Sequence, residues 1–492
     1  MGTLPWWHLL TERVPDLHIR ARNILRHRVT RNFISGTTLQ IFSQGFSLAI
    51  VIYLARILGP TNYGLFSMTM AIMAYFILAI TFGLPTIGIR EVARKNDAAM
   101  QIWWDVGVLR TGLAVVVYGL LLIIAIYIPA LRDMRALLIL YGTSMFLIAL
   151  LPDWTFIGLE RMAWPAFAAL IGGALTLGLL FAFVRSADQL SAALICIIAG
   201  NGLAVVILVA KLRELSDGRP QLIIPRERLW ELMRPAFPFI FASLSSQIYG
   251  NADLILVGFI RGKAEAGIYA AAYKVVNLLV IFIGLISMAI YPAMARIFKS
   301  DPEKSNAFAS AMTGAMLAVF LPIAMGGTLI SAQLTRFFYG AKYAATAKPL
   351  AVLVWYILLS ALSVSFATAL LASNEDRPYI TALTGGALID VALIAFMVPK
   401  WGATGAAVAM VIAEFFIFLY LAVQARRKLK INFIQVRILF PILISTLVMT
   451  AAVWALREHL MVLAVMVCAA LIYGIVLGIC FFFMYPEPRP ED

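Results

Sequence analysis

Long apolar runs separated by short polar segments fill most of the chain, from Phe33 to about residue 484. A helix needs about 20 consecutive apolar residues to cross a bilayer, because backbone polar groups cannot be left unpaired in lipid. The pattern predicts an all-α integral membrane protein with fourteen spans. They are expected at 33–57, 63–84, 103–129, 136–158, 164–184, 190–210, 235–260, 267–292, 307–331, 347–372, 378–398, 404–425, 436–456 and 460–484.

The segment that follows the first predicted helix recurs about 203 residues later. In this alignment Gly59 matches Gly262, and Gly64 matches Gly267. A second alignment, offset by about 213 residues, matches the fifth helix of each copy. The repeated unit therefore has six helices, and because six is an even number both copies enter the membrane from the same side. Many transporters build a central site that opens alternately to either side from such repeats.

The repeat and the polar segments predict the domain organisation. The predicted parts are a basic cytoplasmic segment (1–32), a first six-helix lobe (33–210), a cytoplasmic linker (211–234), a second six-helix lobe (235–425), two appended helices (426–484) and a cytoplasmic tail (485–492). Within the first part, basic and apolar residues alternate over 13–31, which predicts a helix lying on the inner membrane surface.

Composition supports the membrane assignment and sets the orientation. Hydrophobic residues make up 62% of the chain and charged residues 13%, whereas a soluble protein carries about 25% charged residues. Most of the 39 Lys and Arg residues fall in segments that are cytoplasmic if the N-terminus is inside, so both termini are predicted to be cytoplasmic. The net charge of +14 suits loops that face anionic headgroups. Because the charges are dispersed over short loops, nucleic-acid binding is not expected.

The motifs of common enzymes and cofactor-binding proteins are missing from the sequence. The four histidines and three cysteines have no metal-ligand spacing, and neither a phosphate-binding loop nor a dinucleotide fingerprint is present. The loops are too short to hold a catalytic domain. We therefore expect a protein that is not an enzyme and has no cofactor beyond a possible coupling ion.

Several motifs resemble those of a known family. The chain is similar to the Wzx-type polysaccharide and oligosaccharide lipid flippases, within the MOP superfamily that also holds lipid II flippases and MATE exporters. The motifs that carry the resemblance are Arg56-Ile57-Leu58-Gly59-Pro60-Thr61-Asn62-Tyr63-Gly64-Leu65-Phe66, Gly83-Leu84, Arg90-Glu91-Val92-Ala93, Ala252-Asp253-Leu254-Ile255-Leu256-Val257-Gly258 and Ala266-Gly267-Ile268-Tyr269-Ala270-Ala271-Ala272-Tyr273-Lys274.

The resemblance implies two lobes around a central cavity in the bacterial inner membrane. It also implies transfer of a polyprenyl-pyrophosphate-linked oligosaccharide from the cytoplasmic to the outer leaflet, for synthesis of O-antigen, capsule or exopolysaccharide. Membrane lipids and the polymerase and glycosyltransferases of the same pathway are the implied partners. The alternatives are a lipid II flippase, a MATE-like exporter of small cationic compounds and a structural membrane scaffold.

Polar side chains near the membrane midplane are candidate substrate ligands. Gln44 on the first helix and Gln247 on the seventh lie at similar depth, and Asn251 shares the face of Gln247 because it is four residues away. The resemblance implies that the first and seventh helices border the cavity. The alternative is that these side chains form hydrogen bonds between helices without contacting substrate.

Three cations inside predicted spans are candidate phosphate ligands, because a charge in the bilayer must face water, a partner or substrate. They are Arg56, Arg110 and Lys274. Arg56 has the alternative of reaching the outer headgroups. For Lys274 the alternative is neutralisation by Asp253 on the preceding antiparallel helix.

Carboxylates at mid-depth are candidate cation ligands. Asp253, Asp390 and Glu414 lie in the second lobe, and this lobe alone is expected to carry embedded carboxylates. The resemblance implies a cation site within one lobe, so sodium or proton coupling is predicted at these residues. The alternative is a permanently protonated carboxyl that is hydrogen-bonded to a neighbour such as Thr384.

Overall fold

A computed structural model describes residues 28–484, apart from residues 217, 219, 222, 224, 301 and 430–435. The tail predicted at 485–492 and most of the surface helix predicted at 13–31 lie outside this range. The described residues are almost entirely helical and contain no strand. The all-α membrane fold predicted from the sequence is therefore confirmed.

The helices are numbered in chain order. They are α1 Arg28–Thr81, α2 Leu84–Arg94, α3 Ala99–Tyr127, α4 Arg135–Gly142, α5 Ser144–Leu150, α6 Asp153–Gly158, α7 Ala163–Phe183, α8 Leu190–Glu214, α9 Arg226–Arg261, α10 Lys263–Ser300, α11 Pro302–Tyr339, α12 Ala347–Ala372, α13 Asp376–Leu429, α14 Val436–Leu456 and α15 Val462–Met484. Short 3₁₀ turns cover Asn96–Ala98, Pro129–Met134 and Ala341–Thr346.

In the described chain, eleven helical stretches are long and apolar enough to cross a membrane. Two of them hold a pair of predicted spans each, because α1 breaks at Gly59 (φ 70°) and α13 breaks at Gly402 (φ 54°). Glycine adopts these positive φ angles without a Cβ clash. The seventh predicted span, 235–260, lies within α9. Each of the fourteen predicted spans therefore has a helical counterpart.

The fourth span is divided into α4, α5 and α6. The second division falls at Leu151-Pro152, where Leu151 is extended (φ −67°, ψ 118°). Proline disfavours the helical conformation of the residue before it, which accounts for this break. As a result Asp153 lies at the start of a new short helix inside the span.

The contacts divide the chain into two compact units. In the described range the first unit covers 28–267 and the second covers 268–484. The sequence repeat assigns α9 to the second lobe, whereas in the structure α9 contacts α1, α2 and α3 of the first unit. The domain boundaries predicted from the repeat follow sequence symmetry and stay a prediction.

Candidate functional site

Helix α9 packs lengthwise against the second half of α1, and this seam passes through the first unit. The Tyr75 hydroxyl on α1 donates a hydrogen bond to the backbone carbonyl of Gln247 at 3.3 Å. Nearer the predicted cytoplasmic side, the rings of Phe82 and Phe237 meet edge to face with centroids 6.1 Å apart. Residue numbers rise along α1 as they fall along α9, so the two segments run antiparallel.

At the predicted outer end the seam continues past α9, where α1 meets the start of α10 at two glycines. A Cβ built on Gly64 would lie 1.8 Å from the carbonyl oxygen of Lys263, and one built on Gly267 would lie 1.9 Å from that of Pro60. Only glycine permits backbones to approach this closely. The Lys263 ammonium also pairs with the Asp133 carboxylate at 2.6 Å.

At the predicted cytoplasmic end of the seam, an arginine of α9 forms ion pairs with carboxylates of α2 and α3. The Arg228 guanidinium in the first turn of α9 donates Nε to Asp105 Oδ2 at 3.2 Å and Nη1 to Glu91 Oε1 at 3.3 Å, and Nη2 bonds the second Glu91 oxygen. Gln101 Nε2 donates to the other oxygen of Asp105 at 2.7 Å. The hydrogen bonds to Glu91 raise the pKa of Arg228 above its ordinary value, so this guanidinium stays charged.

Two of the predicted midplane ligands, Gln247 and Asn251, lie on α9, whereas Gln44 lies on the first half of α1, before the break at Gly59. Gln44 on α1 and both Gln247 and Asn251 on α9 are half-buried. Only the backbone of Gln247 is engaged by Tyr75. Substrate contact by these three side chains stays a prediction.

Arg110 is the most deeply placed of the predicted cations, with 3% of its surface exposed. It lies on α3 and interacts electrostatically with Asp153 at the start of α6. Within the described chain, its Nε and Nη1 atoms are buried and have no hydrogen-bond partner. The guanidinium therefore has a counter-charge but unused donors.

The other two predicted cations, Lys274 and Arg56, are more exposed than Arg110. Lys274 on α10 is half-buried, and Arg56 on α1 is exposed. Asp253 on α9 is buried and interacts electrostatically with Tyr75 in the first unit. Lys274 belongs to the second unit. The pairing of Asp253 with Lys274 stays a prediction, as does the phosphate contact of Arg56 and Lys274.

Asp390 and Glu414 are both buried on the two halves of α13. The halves fold back on each other after Gly402, because a Cβ on Gly386 would lie 2.3 Å from the Ile417 side chain. This register puts the two carboxyl groups at similar depth. Among the described residues, no three His, Cys, Asp or Glu side chains form a group that could hold a metal ion. The cation-coupling role of Asp253, Asp390 and Glu414 stays a prediction.

The expectation that the second lobe alone carries embedded carboxylates is wrong. Asp105 and Asp153 lie inside the third and fourth predicted spans, and Asp105 is buried. Reading each span for acidic residues would have found both. Glu91 and Arg228 were harder to find, because they lie outside the spans and are 137 residues apart. The sequence offered only the Arg90-Glu91 motif as a signal.

The second unit contains an apolar cavity of about 550 Å³. The appended helices α14 and α15 form part of its wall, which the sequence did not suggest. Its lining comes from α10 (Val275, Val276, Leu278, Leu279), α11 (Ala318, Val319, Pro322, Ile323, Gly326, Gly327, Ile330, Leu334, Phe338), α12 (Leu350, Val354, Ile357), α14 (Met449, Val453) and α15 (Val465, Met466, Ala469, Ala470, Tyr473).

Comparison with known proteins identifies the family of this chain. A family model described as "Polysaccharide biosynthesis protein" matches residues 29–298, more than half of the chain. The chain belongs to this polysaccharide biosynthesis protein family. The resemblance inferred from the sequence motifs is therefore confirmed.

One relative of this family member is a putative O-antigen transporter of Escherichia coli (strain K12). The two are 25% identical over 247 residues, which is 49% of this chain and 59% of that relative. The chain thus spans little more than half the length of the curated relative.

Two solved structures share the fold. One is the lipid II flippase MurJ in an inward closed conformation, with a TM-score of 0.74, 18% identity, and coverage of 92% of this chain and 99% of that one. The other is an inward-facing multidrug resistance MATE transporter of the MOP superfamily, with a TM-score of 0.66, 15% identity, and coverage of 81% and 98%. At these identities the two structures show that the fold is shared.

Proposed function

We propose that this protein is a flippase that moves a polyprenyl-pyrophosphate-linked oligosaccharide from the cytoplasmic to the outer leaflet of the bacterial inner membrane. The cargo would serve the synthesis of O-antigen, capsule or exopolysaccharide. Family membership and the fourteen predicted spans, each of which is helical in the described chain, support transport as the activity. Glycosyltransferases and a polymerase of the same pathway would supply and consume the cargo, and both termini of the flippase would be cytoplasmic.

The apolar cavity of the second unit is the observation that carries the proposal. Its wall is almost entirely carbon, so it cannot replace the hydration of a sugar or a phosphate. Its volume of about 550 Å³ lies in the range of small-molecule binding sites. A segment of a polyprenyl tail has the matching chemistry. This cavity would hold part of the tail while the polar head moves through water-accessible space elsewhere.

The charged head needs cations, and Arg110 is the best placed. Two of its buried nitrogen atoms have no hydrogen-bond partner within the described chain, and phosphate oxygens are acceptors that a guanidinium binds strongly. Asp153 would hold the charge while no cargo is bound. Lys274 and Arg56 would contact the pyrophosphate at other depths, and Gln44, Gln247 and Asn251 would contact the sugar.

The buried carboxyl groups on α13 would couple transport to an ion gradient. Two carboxylates at one depth cannot both stay ionised in a low dielectric without a cation, so Asp390 and Glu414 would hold sodium or share a proton. An ion drives a conformational equilibrium only through different affinities for the two states. Asp253 is the third predicted coupling residue, and in this structure it interacts electrostatically with Tyr75 of the first unit.

The two alternative cargoes differ from the proposed one in different ways, one in its charge and the other in its head group. A MATE-like exporter of small cationic compounds shares the fold, but embedded Arg110 and Lys274 would repel a cationic cargo. Lipid II also carries a polyprenyl pyrophosphate, so a lipid II flippase is the closer alternative. The head group attached to the pyrophosphate distinguishes the two cargoes.

Transport in reconstituted vesicles tests the proposal. Purified protein is placed in vesicles loaded with the lipid-linked oligosaccharide that accumulates in a deletion strain, with lipid II and a small dye cation as competing cargoes. We expect the oligosaccharide to become accessible to an external glycosidase faster than in protein-free vesicles, and faster than lipid II moves. Equal rates with and without protein would overturn the assignment, and faster movement of lipid II or the dye would replace it.

A further inference from the structure

The seam between α9 and α1 ends, at the predicted cytoplasmic side, in the ion cluster of Arg228, Glu91 and Asp105. One guanidinium joins carboxylates from α2 and α3, so a single side chain of α9 bridges two separate helices. The Asp105 side chain is only 6% exposed, whereas those of Arg228 and Glu91 are 29% exposed. The cluster therefore lies at the boundary between a packed interior and water.

The charges of this cluster favour a closed seam. If Arg228 moved away, the buried Asp105 carboxylate would keep only the neutral Gln101 amide as a hydrogen-bond donor. The neighbouring Glu91 carboxylate would then repel the Asp105 carboxylate. Leaving a buried carboxylate without a cation is costly. The partial exposure of Arg228 and Glu91 limits the strength of their pair, since exposed ion pairs contribute little. Such a contact can hold a helix in place and still open reversibly.

A bulky head cannot pass through the seam as it stands. Below the ion cluster, Phe82 and Phe237 are in ring contact, and Tyr75 bonds the backbone of Gln247. The sequence repeat assigns α9 to the second lobe, although it packs on the first unit in this structure. Entry of cargo along this seam from the cytoplasm would therefore require α9 to move away from α1.

We propose that Arg228, together with Glu91 and Asp105, is a latch that keeps the cytoplasmic end of the α9–α1 seam closed and must open for cargo to enter. This inference rests on the transport function proposed above. Arg228 acts as a positioning residue: it holds α9 and need not touch the cargo.

Opening of the seam can be measured with a single cysteine. Ala236 on α9 is fully buried, and a small thiol replaces its side chain with little disturbance. The variant Ala236→Cys is built with the three native cysteines changed to alanine. In inside-out membrane vesicles without cargo, the rate of labelling by a membrane-impermeant maleimide reports how often the seam opens to the cytoplasm.

We expect Arg228→Ala to raise this labelling rate roughly two- to tenfold, as loss of a partly exposed ion-pair cluster would. The double change Glu91→Gln and Asp105→Asn should raise it similarly, and Arg228→Lys should raise it less. Lys428→Ala is the matched control, because it removes the ion pair of Lys428 with Glu375 in the second unit. That control should leave the rate unchanged.

General unfolding is separated from seam opening by a second reporter. Ala168 on α7 is also fully buried in the first unit, and it lies near the predicted cytoplasmic end. In Ala168→Cys, the rate must stay low when Arg228→Ala is added, and a parallel rise at both cysteines would overturn the latch. If Arg228→Ala does not accumulate in the membrane, the double variant Arg228→Glu with Glu91→Arg, which exchanges the two charges, tests the latch instead. Labelling as slow as in the parent supports the latch, and labelling as fast as in Arg228→Glu alone overturns it.

The labelling needs no cargo, so the two proposals fail in different ways. Unchanged labelling of Ala236→Cys in all latch variants would overturn the latch even in an active flippase. Faster labelling in a protein that moves no lipid-linked glycan would support the latch and reject the proposed cargo.

Discussion

Gly64 and Gly267 occupy equivalent positions in the two sequence repeats, and they meet each other in the structure. A Cβ on Gly64 would lie 2.7 Å from the Gly267 nitrogen, and one on Gly267 would lie 3.0 Å from the Gly64 nitrogen. The glycines five residues earlier also match, since Gly59 has φ 70° and ψ 171° and Gly262 has φ 92° and ψ 172°. The two sequence repeats therefore share the same backbone conformation at the outer end of the seam.

The first prediction is that Gly267→Ala weakens the outer end of the seam. The added methyl group would overlap the Pro60 carbonyl oxygen, which is backbone and cannot move aside without shifting a helix. We expect a loss of about 1–3 kcal/mol, the usual cost of overpacking, seen as a lower thermal midpoint in detergent. Gly112→Ala is the control, because nothing lies within 4 Å of its Cβ position. Equal midpoints for the two variants would contradict the prediction.

The membrane fold could be predicted from the sequence because lipid leaves few choices. Every span must satisfy its own backbone, so the apolar runs mark the helices. The predicted ends of the spans were less accurate where a helix continues beyond its apolar run. The span predicted at 267–292 belongs to α10, Lys263–Ser300, because helical hydrogen bonds continue after the hydropathy signal ends.

The contacts between helices could not be predicted in the same way. Arg228 and Asp105 are 123 residues apart, and no periodic pattern connects them. The repeat placed α9 with the second lobe, whereas its contacts are with α1, α2 and α3 of the first unit, and sequence symmetry does not report such contacts. Similarly, the role of α14 and α15 in the apolar cavity depends on their contacts with α11, which hydropathy does not report.

The second prediction separates charge pairing from phosphate binding at Arg110. Arg110→Gln alone leaves the Asp153 carboxylate without its cation, and Asp153→Asn alone leaves the guanidinium without its counter-charge. Either change should lower the thermal midpoint, because it leaves one charge without the opposite charge near it. We expect the double variant to regain thermal stability but not flipping, because the phosphate ligand is lost. Restored flipping in the double variant would assign Arg110 a structural role only.

The third prediction concerns the apolar cavity of the second unit. Ala469→Trp places an indole into its lining, so we expect the flipping rate of a long-tailed cargo to fall several-fold while membrane insertion is unchanged. The neighbouring change Leu471→Trp is the control, because Leu471 is 60% exposed and outside the lining. Vesicle assays with tails of decreasing length provide the measurement. A tail-independent effect, or an equal effect of both tryptophans, would show that the cavity does not hold the tail.

The last prediction is that Asp390 and Glu414 carry the coupling to an ion gradient. Both carboxyl groups are buried at similar depth on α13, and replacing either by its amide keeps the shape but removes the charge that binds a cation or proton. We expect Asp390→Asn and Glu414→Gln to fold, to keep slow downhill flipping and to lose stimulation by an imposed gradient. Asp188→Asn, at an exposed carboxylate, should keep full stimulation. Sodium and proton gradients applied separately identify the ion, because only the coupled one accelerates the parent protein. If both amide variants respond to the gradient as the parent does, the carboxyl groups are structural, and a permanently protonated, hydrogen-bonded carboxyl becomes the better account of their burial.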